Sequence, residues 1–147
     1  MESVWRPAMW VLASMLLAGC TDEVMDAGYP ATSDAVASGA VRRGWVPAWV
    51  PASARNLQEV HDVDTNQSAL SFTLERSGWR PPAPCRRAEA DEFSEPAFDR
   101  SWIPSGQDLT AAYDLYGCPS GHDEPMLEAV AVQREGTHVL HWRVFSR

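Results

Sequence analysis

The sequence predicts a small β-rich domain, all-β or α+β, built on an antiparallel sheet of four or five strands and closed by one disulfide. Three observations carry that expectation. Leu70, Phe72 and Leu74 alternate with Ser71, Thr73 and Glu75, the period of two that a half-buried strand requires. The last 22 residues, "MLEAVAVQREGTHVLHWRVFSR", carry two alternating runs around Glu135-Gly136, a tight-turn signal between strands. Cys85 and Cys118 form an even pair once Cys20 is set aside.

In chain order, the first element is not part of that domain. Residues 1–7 hold Arg6 and the terminal amine against Glu2, and Ala8 to Leu17 is an apolar run of ten. A membrane-spanning helix needs roughly 20 such residues, so the run fits the hydrophobic region of a secretory signal peptide. Leu17-Ala18-Gly19-Cys20 follows. A branched residue, two small residues and a cysteine resemble the lipobox of bacterial lipoprotein signal peptides. The resemblance implies cleavage before Cys20, leaving residues 1–19 behind, and acylation of Cys20. Several acyl chains anchor a protein stably where one chain is marginal. Thr21 in the next position resembles the outer-membrane sorting signal of enteric-type lipoproteins. The expected location is therefore the periplasmic side of a bacterial membrane.

Thr21 to Ala40 is rich in Ala, Ser, Asp and Gly and holds no base. It reads as the rest of a flexible acidic tether spanning 20–40. The globular domain is then 41–147. Its opening, "GWVPAWVPASA", should be extended, because Pro47 and Pro51 resist helix and push their predecessors to extended geometry. Trp45 and Trp49 on it can serve as core packing or as an exposed interaction surface.

Residues 57–63 and 69–76 read as a hairpin around Asp64-Thr65-Asn66-Gln67-Ser68, whose Asp and Asn side chains favour turns. Residues 80–108 are loop-rich, with a short helical turn around Ala88–Phe93. Leu109 to Cys118 suggests a short strand with Tyr113 and Leu115 on one face. Leu127, Ala129, Ala131 and Gln133 share one face of the next strand. After the turn, Val139, His141, Arg143 and Phe145 alternate with His138, Leu140, Trp142 and Val144.

In an oxidising compartment Cys85 and Cys118 should pair. The closed loop of 34 residues corresponds to about 4 kcal/mol in the chain-entropy account. The candidate ligand or metal residues are His61, Asp62, Asp64 and Asn66. Their D-x-D-x-N spacing opens like a calcium loop, but Gln67 stands where the turn needs Gly and Thr73 where the bidentate Glu belongs. The pattern thus argues against an EF-hand; an Asx turn closing the hairpin and a calcium site of another kind both stand. His138 and His141 lie three apart, so on a strand they face opposite ways.

Net charge is −8, and all 12 basic residues are arginine with no basic stripe, so nucleic acid is not an expected partner. No G-x-S-x-G, H-E-x-x-H or Gly-rich phosphate loop is present. No catalytic residue or cofactor is therefore assigned, although a pair of acids meeting in the fold would suit a hydrolase. Asp91, Glu92, Glu95 and Asp99 read as a solvated face.

The run "GWVPAWVPASARNLQEVHDVDTN" and the following "ALSFTL", within residues 44–74, resemble a segment of small bacterial lipoproteins similar to the YbbD head domain. Trp45, Pro47, Pro51, Ser53, Ala54, Asp62, Asp64, Thr65 and Asn66 carry the likeness. It implies a small extracytoplasmic module and transfers no catalytic residue. The functional expectation is a lipid-anchored binding or assembly-accessory protein with an envelope protein as partner. A metal- or small-ligand-binding domain and an envelope hydrolase are the alternatives.

Overall fold

A computed structural model describes residues 23–119 and 126–145. They form one seven-stranded, wholly antiparallel sheet in the order β1-β2-β3-β7-β6-β5-β4. The strands are β1 (Val24–Ala31), β2 (Arg55–Asp62), β3 (Ser68–Thr73), β4 (Arg86–Arg87), β5 (Tyr113–Cys118), β6 (Met126–Gln133) and β7 (His138–Phe145). Two short helices accompany them, α1 (Thr32–Ala37) and α2 (Gly106–Ala112). The β-rich class is as expected, although the sheet holds seven strands where four or five were read. The lipobox and signal segment lie outside the described residues, as does the loop at 120–125 with His122.

Two meanders meet in this sheet. β1, β2 and β3 follow one another, and β7, β6, β5 and β4 do so in reverse. β3 and β7 join them, with Ser68 opposite Arg143 and Thr73 opposite His138. The hairpins expected at 57–63/69–76 and 126–133/138–145 are present with register Glu59↔Leu70 and Val130↔His141. Period-two patterning and turn residues were enough to place them.

The tether is the largest correction. Residues 24–31 form an edge strand along the whole of β2, from Val24↔Asp62 to Ala31↔Arg55. The sequence "VMDAGYPA" has low strand propensity because of its Asp, Gly and Pro. Pairing and side-chain burial against β2 decide the matter instead. Asp26 is held by a two-pronged contact from Arg100, at 2.7 and 2.9 Å. α1 then buries Ala35 completely, and Thr32 donates its hydroxyl to Pro51 O at 2.7 Å.

Both sheet faces are covered. One carries Leu57, Leu70, Phe72, Val130, Val132 and Val139 beneath Ala35, Ala40, Val46, Val50 and Ala54 from the connection between β1 and β2. That connection is a chain of turns and not the extended segment expected at 44–54. Each proline opens one turn, closed by Val50 N–H on Pro47 O and Ala54 N–H on Pro51 O. Trp45 and Trp49 pack against this cluster while remaining half-buried. The other face carries Leu115, Ala129, Ala131, Leu140, Trp142 and Val144 beneath Phe93, Phe98, Trp102, Ile103 and Leu109.

The second cover includes a 3-10 turn at Ala90–Glu92, where a helical turn was expected. It also contains α2, which replaces the first half of the strand read from Leu109. Ser105 caps α2 by accepting Asp108 N–H at 3.1 Å. The Ser-x-x-Asp pattern is the local signal for that start. At its other end Arg134 donates to Ala111 O, Thr110 O and Tyr113 O, satisfying carbonyls that a helix C-terminus leaves free. The Cys85–Cys118 bridge is formed, joining the start of β4 to the end of β5.

Trp142 is 1% exposed and donates its indole N–H to Ser94 O at 2.9 Å. Trp142→Ala should cost about 3–5 kcal/mol in a denaturant melt. Val36→Ala, at a position 57% exposed, should stay within about 0.5 kcal/mol. Equal effects would contradict the packing described.

Candidate functional site: a buried polar row under Trp45

Antiparallel register puts directly opposed residues on one face of a sheet. Glu59 and His61 of β2, Ser68 of β3, His141 and Arg143 of β7 and Glu128 of β6 therefore share the Trp-covered face. Glu59 is 1% exposed, Ser68 2%, and His61 and His141 3% each. A titratable row in an interior is costly unless its members are paired, so each partner matters.

Glu59 Oε1 lies 2.6 Å from His61 Nδ1. Arg143 Nε donates to Ser68 Oγ at 3.1 Å. His141 Nε2 stands 3.6 Å from Glu128 Oε2, an ion-pair separation too long for a hydrogen bond. Among the described residues, Glu59 Oε2, His61 Nε2 and both His141 ring nitrogens have no hydrogen-bond partner. Trp45 stacks on His61 with centroids 4.0 Å apart, and the Arg43 guanidinium sits 4.1 Å above Trp45. Trp49 stacks on Trp79 and turns its edge toward His141. A three-tier stack of Arg43, Trp45 and His61 thus seals the Glu59 end of the row.

Burial is the main reason the Glu59 carboxyl is pushed up to about 8, with the Asp26 charge adding to it and Arg143 and Arg43 opposing it. Burial likewise pushes the His61 ring down, helped by Arg143 and Arg43. At neutral pH the contact is therefore a protonated carboxyl donating to a neutral imidazole Nδ1, which leaves the ring proton on Nε2. The arrangement can hold and orient one proton.

The expected set of His61, Asp62, Asp64 and Asn66 is divided. His61 faces Trp45, while strand alternation turns Asp62 to the opposite side. Asp62 Oδ1 accepts the backbone N–H of Asp64 at 2.9 Å and of Thr65 at 3.2 Å, and Asn66 takes a positive φ of 59°. This is the Asx turn that was one of the two readings. Hydrogen bonds to those amides, acting against desolvation, keep the Asp62 carboxyl below its usual range. Among the described residues no group of three or more His, Cys, Asp and Glu is placed to hold a metal ion. His138 and His141 do face opposite ways. His138 Nδ1 meets the Tyr113 hydroxyl at 2.9 Å under the other cover.

Glu59, Ser68, Arg143 and the link to His141 went unassigned in the sequence. The one usable signal was Leu57-x-Glu59-x-His61, two polar residues in phase with an apolar one.

The pair gives stability a definite pH dependence. Above about pH 7 His61 is mostly neutral in the folded and unfolded chain alike. Folded Glu59 keeps its proton up to about pH 8, whereas unfolded Glu59 has already lost it. The native state binds the extra proton, so stability should fall as pH rises from 7 to 8, by up to about 1 kcal/mol per pH unit. Glu59→Gln should flatten that slope in thermal melts; an unchanged slope would contradict the assignment.

Comparison with known proteins reaches the N-terminal meander. No curated protein and no solved structure gives a significant match. Residues 23–73, about a third of the chain, match the YbbD head domain, a span that begins beside Val24 and ends on the last residue of β3.

Proposed function

We propose that the protein is a lipid-anchored cell-envelope protein, held by Cys20 on the periplasmic side of the outer membrane, that acts as a binding or assembly-accessory module for another envelope protein. The Leu17-Ala18-Gly19-Cys20 lipobox supports the anchor. The Cys85–Cys118 bridge is in keeping with an oxidising compartment.

One observation carries the binding role. A partly buried tryptophan, stacked under an arginine, covers a buried Glu–His pair in which Glu59 Oε2 and His61 Nε2 have no partner among the described residues. Each unsatisfied buried polar group costs about 1–3 kcal/mol. Retaining several at one surface-near spot favours recognition over stability, and Trp and Arg are the residues most enriched at interface hot spots. The contact surface is accordingly Trp45 and Trp49, with Arg43 at its rim.

A small-ligand reading draws on the unpartnered Glu59 Oε2 and His61 Nε2 themselves. In that case a ligand must displace Trp45. The hydrolase alternative meets the same cover over its candidate pair.

The test is gentle-detergent purification of the tagged, lipidated protein from its own cells, with mass spectrometry of what accompanies it. A stoichiometric envelope protein should co-purify, and Trp45→Ala should lose it while still unfolding cooperatively. A solitary protein would contradict the interaction role. Membrane fractionation of a Cys20→Ser variant would contradict the anchor.

A further inference from the structure

We propose that the end of the sheet where β1 begins is seated on the lipid bilayer, with a zwitterionic phospholipid interface as its occupant. The inference rests on the Cys20 anchor proposed above and adds an orientation to it.

The geometry starts with chain length. Thr21, Asp22 and Glu23 are all that separates Cys20 from Val24, the first residue of β1. Four residue steps reach at most about 14 Å. The eight residues of β1 extend for roughly 27 Å, so its two ends cannot stand equally close to an anchor at Cys20. With β1 in the sheet, the spacer is short, and the Val24 end must lie at the membrane.

That end carries the apolar surface. Four large hydrophobic residues are exposed among the described residues: Met25 at 50%, Val63 at 42%, Phe145 at 40% and Val36 at 57%. Met25 is the second residue of β1. Val63 follows β2 directly, and its N–H binds Glu23 O at 3.2 Å. Phe145 ends β7, beyond the Ser68↔Arg143 pair. Three of the four therefore sit at the anchored end on separate segments. Val36 lies on α1, beyond the opposite end of β1. Single exposed apolar residues are ordinary, but their gathering at the site of anchor emergence is not accounted for by the fold.

Charge narrows the lipid. Glu23, Asp62 and Asp64 lie at this same end, and anionic headgroups would repel them. Zwitterionic headgroups accept both the carboxylates and the inserted apolar side chains.

The experiment uses the full lipidated chain in phosphatidylcholine–phosphatidylethanolamine vesicles containing brominated lipid. Cys20 is acylated and Cys85 and Cys118 are bridged, so Val63→Cys, Phe145→Cys and Val36→Cys each supply one free thiol for a fluorophore. Quenching should be at least threefold stronger at 63 and 145 than at 36. Equal quenching at all three would overturn the docking while leaving the anchor intact. Shielding of 63 and 145 in native membranes but not in pure lipid would also overturn it, in favour of a protein occupant. Mass spectrometry of Cys20 separates the two readings: an unacylated cysteine overturns the anchor, and the docking with it.

Discussion

The pairing of β3 with β7 is the interaction on which the rest of this structure depends. It runs for six residue pairs, from Ser68↔Arg143 to Thr73↔His138, and welds an N-terminal meander to a C-terminal one. Without it Leu70 and Phe72 would lose their neighbours Val139 and His141, and each half-sheet would expose an unpaired edge. The seam also sets the composition of its strands. A central strand covered on both faces needs apolar residues on both. That is why "SALSF" and "VLHWRV" alternate between two buried environments and not between core and water.

Into this doubly buried centre the chain places Glu59, His61, His141 and Arg143. Apolar residues of similar size would often be as stable or more so. The protein softens the penalty by neutralising the pair: burial raises Glu59 and lowers His61, so one proton serves both and the pair itself brings no net charge into the core. Trp45 then completes the desolvation from above. The same seal makes the site conditional, since its unpartnered atoms meet a ligand or a protein only if Trp45 shifts or itself forms the contact. Total folding stability is of order 5–15 kcal/mol, so a few unsatisfied groups are a sizeable share of it.

How far the sequence could be read follows from the reach of each signal. The two hairpins were visible because period-two alternation and turn residues such as Asp64, Asn66 and Gly136 act within ten residues. The Cys85–Cys118 pair was visible by parity and compartment. β1 was hidden, because Met25, Ala27 and Tyr29 alternate with Asp26 and Gly28 too weakly to stand apart from low-complexity chain. Its partner β2 lies more than 20 residues away. α2 was hidden because Leu109 to Ala112 continues into the apolar run of β5, although Ser105 and Asp108 marked its start. The buried row was half visible, in the phase of Leu57, Glu59 and His61. Its other half arrives through β3–β7 register, which no local pattern specifies.

The two ends of the sheet have different characters as a result. The end where β1 starts gathers the disulfide, the Asx turn and the exposed Met25, Val63 and Phe145. The opposite end carries α1 and the start of the turns that bring Trp45 and Trp49 over the core. Everything in this division depends on residues 24–31 being a strand and not a tether. Native-state hydrogen exchange tests that directly. The β1 amides facing β2 should be protected well above random-coil rates, less than those of the β3–β7 seam because β1 is an edge. Random-coil exchange throughout residues 24–31, with the seam protected, would contradict the account.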